Sequence, residues 1–119
     1  MRLQHVALIV SDLDRAAAFY EGVLGLCREM RPELGFDGIY YALDDGVQIH
    51  LMRIDNPYTD CALPAHGGRD RHLALMVPEL ETMRLRLETA GVAYTASRSG
   101  RAALFCRDPD GNAIELFQG

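Results

Sequence analysis

Four side chains that can bind a metal ion stand at repeated places along the chain. They are His5, His50, His72 and Glu115. Three imidazoles and a carboxylate form a donor set that suits Zn, Ni, Co, Mn or Fe(II). Coordination would also give partners to polar groups whose unpartnered burial costs about 1–3 kcal/mol each. The alternative is that these side chains decorate one face of a sheet and bind no metal.

The chain contains two copies of one pattern, and the candidate ligands occupy equivalent places in them. Residues 5–10 read HVALIV and residues 72–77 read HLALMV, which agree at four of six positions. Residues 45–51 (DGVQIHL) likewise match residues 110–116 (DGNAIEL) at nearly the same spacing. The repeat therefore pairs His5 with His72, and His50 with Glu115.

Each copy predicts a strand, a helix and three further strands. The first helix is expected to open with a capping pattern of Ser11 and Asp14 and to end at Gly25. The second is expected to open at Pro78 or Glu79. Strands are predicted over residues 3–10, 26–31, 39–43 and 47–52, and again over 72–77, 92–95, 101–107 and 113–117.

The prediction is one domain over residues 1–119, with one module over about 1–54, a linker over about 55–71 and a second module over about 72–119. The linker is long for a connection, which suggests that part of it has a function. His66 in this linker is read as a surface residue, and Gly67-Gly68 is too weak a signal for a phosphate-binding loop.

Strand side chains alternate between two faces, which places the candidate ligands opposite the aliphatic residues of their own strands. The aliphatic faces would pack beneath the helices. If the two copies are related by a pseudo-twofold axis, all four candidate ligands can converge on one point. Gln48 shares a face with His50 and is an alternative ligand at that position.

Composition excludes several classes of function. The net charge is −5 and no basic cluster is present, which argues against nucleic acid and gives no support for an anionic membrane. No apolar run is long enough for a membrane span, and the first residues do not form a signal peptide. The three cysteines show no CxxC spacing, which favours reduced thiols and a cytoplasmic location.

These motifs resemble the vicinal oxygen chelate superfamily, which includes glyoxalase I, bleomycin resistance proteins, fosfomycin resistance enzymes and extradiol dioxygenases. The resemblance covers nearly the whole chain and rests on four segments. These are HVALIVSDL from His5, AFY with LGL from Ala18 to Leu26, RHLAL from Arg71, and DPDGN with IEL from Asp108 to Leu116.

The resemblance implies an α+β fold of two tandem βαβββ modules, whose cupped mixed sheet surrounds a metal, and a homodimer that could share the site. His5, His50, His72 and Glu115 fall on the superfamily's ligand positions. Glyoxalase I usually has Glu where this chain has His50. Ile9 and Ile54 stand where glyoxalase I grips glutathione, and Thr95, Phe105 and Ala7 depart from the phosphonate site of fosfomycin enzymes.

The favoured function is that of a metal-dependent glyoxalase-like lyase or isomerase acting on a small oxygenated substrate. Two substrate oxygens would chelate the metal, which would stabilise an enolate or similar oxyanion. Glu115 would transfer protons. One alternative is a non-catalytic, bleomycin-resistance-like binding protein, lined by aromatic residues. The other is an Fe(II) extradiol-type dioxygenase. The substrate, the native metal, and whether one chain or two build the site stay open at this point.

Tyr40, Tyr41, Arg98 and Arg101 are residues that could contact a substrate. The aromatic residues of a binding pocket would be Phe36, Tyr40, Phe105 and Phe117.

Overall fold

A computed structural model describes the whole chain, residues 1–119. The chain divides into two compact units, Met1–Asp60 and Cys61–Gly119. Each unit contains a four-stranded mixed sheet and a helical segment that follows the first strand. The predicted class of two tandem βαβββ modules is confirmed.

The elements of the first unit are β1 (His5–Val10), α1 (Leu13–Ala17) with a π-helical continuation (Ala18–Val23), β2 (Cys27–Glu29), β3 (Gly38–Ala42) and β4 (Gln48–Arg53). The sheet order is β1-β4-β3-β2, in which β1 and β4 run parallel and the other neighbours antiparallel.

The second unit contains a 3₁₀ turn (Gly67–Arg69) inside the predicted linker. The elements that follow are β5 (His72–Val77), α2 (Leu80–Thr89), β6 (Tyr94–Ala96), β7 (Ala103–Arg107) and β8 (Ala113–Gln118). The sheet order is β5-β8-β7-β6, again with one parallel pair, β5 with β8.

The two sheets have the same strand register around their candidate ligands. In the first sheet His50 lies between Ala7 of β1 and Tyr40 of β3. In the second sheet Glu115 lies between Ala74 of β5 and Phe105 of β7. Each ligand-bearing position thus has an alanine on one side, which leaves space above the sheet, and an aromatic ring on the other.

The first helix begins one residue away from the predicted cap. Asp12 is the N-cap, and its carboxylate accepts a hydrogen bond from the backbone N–H of Arg15 at 2.9 Å. Ser11 lies one residue too early to cap a helix whose first residue is Leu13. The predicted stop is confirmed, since Gly25 has a φ of 79°, the left-handed conformation that glycine adopts at helix ends. Neither helix is long and apolar enough to cross a membrane.

The aliphatic faces of the central strands form the core of each unit, as the alternation predicts. In the first unit Ile49 and Leu51 of β4 are fully buried, and in the second Ile114 and Leu116 of β8 are. Leu87 brings the apolar face of α2 into contact with this second sheet and is also fully buried. The opposite face of each sheet is left to the candidate ligands.

The three cysteines are free, and we expect them to differ sharply in reactivity. Cys27 and Cys61 are exposed, whereas Cys106 on β7 is buried. Burial raises the pKa of the Cys106 thiol to about 12. At pH 8 this thiol is therefore protonated and also shielded, and a thiolate is the reactive form. A disulfide reagent should titrate Cys27 and Cys61 in the native protein, and Cys106 only after unfolding in urea. Rapid modification of Cys106 in the native protein would contradict this placement.

Candidate metal centre

The second unit brings His72 and Glu115 side by side. His72 is the first residue of β5, and Glu115 lies in the middle of the adjacent strand β8. The imidazole Nε2 lies 3.2 Å from a carboxylate oxygen of Glu115, and the two side chains are 28% and 5% exposed. Two of the four side chains predicted to converge, His72 and Glu115, are therefore neighbours in this unit. The complete four-ligand site stays a prediction.

The hydrogen bond of His72 Nδ1 leaves Nε2 as the ring nitrogen that faces Glu115. Nδ1 lies 2.9 Å from the backbone carbonyl oxygen of Asp70. Since a carbonyl oxygen only accepts, Nδ1 carries the proton in the neutral ring, and Nε2 presents its lone pair to the Glu115 carboxylate. Two acceptors that face each other at this distance require a proton or a cation between them. Histidine ligands of metals are commonly oriented by such a bond from the other ring nitrogen.

Arg101 neutralises the buried carboxylate from the other side. Its guanidinium donates to the second oxygen of Glu115, and its charged end lies 5.1 Å from the ring centroid of Phe117. Glu115 is buried. A carboxylate this buried requires a positively charged partner, and Arg101 provides one.

The first unit brings His5 and His50 together as a stacked pair. Their ring centroids are 4.1 Å apart, and the other face of His50 stacks on Tyr40 at 3.6 Å. His50 Nε2 lies 2.8 Å from the amide oxygen of Gln48, whose amide nitrogen donates to Glu29. This orientation of the Gln48 amide makes His50 Nε2 the donor.

Gln48 therefore touches His50 on the same face, where it was considered as an alternative ligand. Gln48 is also the register partner of His5 across the parallel strands. Burial, with a smaller contribution from the neighbouring charge of His5, lowers the pKa of His50. A lowered pKa keeps this imidazole neutral, which is the form that binds metals.

The donor sets of the two units are suited to a divalent cation, but each unit contributes only two of the four predicted ligands. Within either unit, no three His, Cys, Asp or Glu side chains form a group that could hold a metal ion. The part of the structure that fits a cation best is the place where His72 Nε2 faces the Glu115 carboxylate.

A cavity of about 350 Å³ in the second unit opens beside His72 and Glu115. Phe105 lines its apolar side. The remaining lining residues are polar or flexible: His66, Gly68, Arg69, Ser97, Arg98, Ser99 and Arg101. Arg98 and Arg101, which were considered as substrate contacts, both lie here, whereas Tyr41 is fully buried and available to no ligand.

His66, interpreted from the sequence as a surface residue, is partly exposed and also has a structural role. It caps the 3₁₀ turn: its Nδ1 accepts from the backbone N–H of Gly68 at 3.0 Å, and its Nε2 donates to the carbonyl of Ala96 at 3.1 Å. Its ring also contacts Phe105, with centroids 5.0 Å apart. The linker thus forms part of the cavity wall, and the only signal for this in the sequence was the unusual length of that linker.

Comparison with known proteins agrees with this architecture. Residues 2–116 match the model of the Glyoxalase/Bleomycin resistance protein/Dioxygenase superfamily. The chain belongs to this superfamily.

Individual members of the superfamily align along nearly the whole chain. The chain is 30% identical to the glutathione transferase FosA of Serratia marcescens, with 98% of this chain and 80% of that protein covered. It is 27% identical to the lactoylglutathione lyase of Haemophilus influenzae, over 99% and 93% of the two chains. Among solved structures, a glyoxylase/bleomycin resistance protein/dioxygenase domain from Frankia sp. superposes with a TM-score of 0.76 at 28% identity, covering 100% of this chain and 98% of that one.

Proposed function

We propose that the chain is a divalent-metal-dependent, glyoxalase-like enzyme that acts on a small oxygenated substrate. His5, His50, His72 and Glu115 would be the metal ligands, and Glu115 would also transfer protons. The observation that carries the proposal is the geometry of His72 and Glu115, where the imidazole Nε2 faces a buried carboxylate oxygen at 3.2 Å. The first unit supports it with two imidazoles at the register-equivalent positions.

The metal would supply Lewis acidity to two substrate oxygens, and the chain's own residues would supply the proton transfer. Glu115 lies at the inner end of the cavity and has one oxygen toward His72 and one toward Arg101. An oxygen released from either partner becomes a base within reach of a bound molecule. Arg101 would then hold the other oxygen and fix the direction in which the carboxylate accepts a proton.

Phe105 and Tyr40 would keep water away from the two ligand pairs. Phe105 is buried beside Glu115, and its ring contacts His72 edge-on with centroids 5.4 Å apart. Tyr40 covers His50 in a nearly parallel stack. Both rings sit on the strand next to a ligand, which restricts the rotamers available to that ligand.

We further propose a cytoplasmic homodimer that takes a small-molecule substrate and binds neither nucleic acid nor membrane. The free thiols support a reducing compartment, and the acidic net charge of −5 supports the absence of a nucleic-acid partner. Light scattering on the purified protein measures the oligomeric state directly.

The first test is the metal content of untagged, chelator-washed protein, measured by mass spectrometry after reloading with Ni, Zn, Mn, Co or Fe(II). We expect about one ion per chain in the wild type and none in the His5→Ala/Glu115→Ala double variant. The matched control is His66→Ala. It removes an imidazole that lies in the same unit as Glu115 but outside the proposed ligand set. Circular dichroism checks that each variant is folded.

Two outcomes would redirect the assignment. Failure of the wild type to take up any metal, together with saturable binding of an aromatic compound, would replace the enzyme by a binding protein of the bleomycin-resistance kind. Oxygen consumption with a catechol and Fe(II) would replace it by a dioxygenase, because two imidazoles and one carboxylate suit that chemistry.

A further inference from the structure

The cavity of the second unit is positively charged, although the chain as a whole is acidic. Three guanidinium groups line it, from Arg69, Arg98 and Arg101, against the single carboxylate of Glu115. The net charge of the chain is −5. A positively charged cavity raises the local concentration of negatively charged ligands.

Two of these three arginines have no partner within the protein. Arg101 binds Glu115, but the side chains of Arg69 and Arg98 take part in no hydrogen bond or ion pair. Elsewhere the arginines that face acidic groups are paired, as Arg53 is with Asp37. An arginine presents five N–H donors in a planar fork that matches the oxygens of a carboxylate or phosphate.

Hydroxyl groups stand next to these free cations. Ser97 and Ser99 flank Arg98 in the turn between β6 and β7, and their hydroxyl oxygens are 2.9 Å apart. Either hydroxyl can turn its hydrogen toward a ligand oxygen without leaving the turn. Gly68 also lines the cavity and packs so closely that a Cβ there would lie 3.1 Å from the Phe105 ring and 3.0 Å from His66 Nδ1. Arg69 follows it directly in the chain.

We infer that this cavity is an oxyanion subsite in which Arg69, Arg98 and the hydroxyls of Ser97 and Ser99 bind a carboxylate or phosphate group of a small-molecule ligand. The inference deepens the proposed function, and it rests on that function in taking this anion as part of the substrate. It assigns to the substrate a negatively charged group that binds in the same cavity as His72 and Glu115. Arg101, which neutralises Glu115, can stay paired with that carboxylate when the anion binds.

The test is a titration of chelator-treated, metal-free protein with inorganic phosphate and, separately, with acetate, at low ionic strength. Backbone amide shifts in ¹⁵N spectra report where each anion binds. We expect saturable shifts confined to residues 66–69 and 97–101, with phosphate and acetate affinities showing which oxyanion the subsite prefers. The Arg69→Gln/Arg98→Gln variant should bind at least about 10-fold more weakly, as the loss of charge-assisted hydrogen bonds requires.

Arg86→Gln is the matched control, because it removes one exposed, unpaired guanidinium from α2 of the same unit, away from the cavity. It should change the affinity by less than about twofold, the size of a screened long-range effect. Absence of saturable binding of either anion, or an equal loss in Arg86→Gln, would overturn the inference. Because no metal is present in this experiment, an absence of anion binding would not contradict the proposed metal site. In the same way, an absence of metal uptake would not contradict the anion subsite.

Discussion

Replacing Glu115 by alanine is expected to lower turnover at least about 10³-fold, once a substrate is in hand. The variant loses a general base, which contributes about 10²–10⁴ in rate. It would also bind more weakly a metal that stabilises the transition state by several kcal/mol. His5→Ala should also abolish turnover, because it removes a ligand. Steady-state kinetics at measured metal occupancy separates loss of the base from loss of the metal. When excess metal restores the occupancy, only Glu115→Ala should stay inactive.

Glu115→Gln is the more informative variant of this residue. It keeps the size of the side chain and an oxygen for Arg101, but it removes the charge that the imidazole of His72 faces at 3.2 Å. We expect weaker metal binding with little loss of folding stability. Glu79→Ala, at an exposed position where the side chain caps no helix, is the control and should leave kcat unchanged. Full activity of Glu115→Ala or of His5→Ala would falsify the proposed role of these ligands.

The sheets could be predicted from the sequence because strand alternation and turn chemistry are local signals. The repeat was visible in β1 and β5, where a histidine opens an apolar strand, and in the two DG turns that precede β4 and β8. A matching register follows from this repeat, since a slip of one residue would turn the buried leucines and isoleucines to the other face. The face of the sheet that carries His72 and Glu115 could therefore be predicted from the pattern alone, whereas the convergence of all four candidate ligands stays a prediction.

The cavity could not be predicted, because its walls come from segments with no periodicity. Arg101 reaches Glu115 from the end of a turn, and His66 is positioned by bonds to Gly68 and to the carbonyl of Ala96. None of these contacts has a sequence spacing that a strand or a helix would impose. The proton on Nδ1 of His72 likewise depends on where the carbonyl of Asp70 points, which only the folded backbone determines.

One segment of the superfamily resemblance has a structural role. In the turn before β8, the buried carboxylate of Asp108 accepts hydrogen bonds from the backbone N–H groups of Asp110 and Asn112, both at 2.9 Å, and from the Asn112 side chain at 2.8 Å. These bonds close the turn that starts the strand carrying Glu115. The segment thus positions a ligand from a distance, although it contributes none itself.

Asp108→Ala should therefore destabilise the protein by about 3 kcal/mol, since hydrogen bonds to a charged acceptor contribute about 1.5–3 kcal/mol each and the part-buried donors would lose their acceptor. The control is Asp45→Ala in the equivalent turn of the first unit, where an exposed carboxylate accepts one bond, from the Val47 N–H at 3.0 Å. That variant should lose about 1 kcal/mol or less. Urea unfolding followed by circular dichroism measures both free energies. Equal losses in the two variants would contradict this prediction. They would mean that the cost of burying the Asp108 carboxylate offsets most of the stabilisation that its hydrogen bonds contribute.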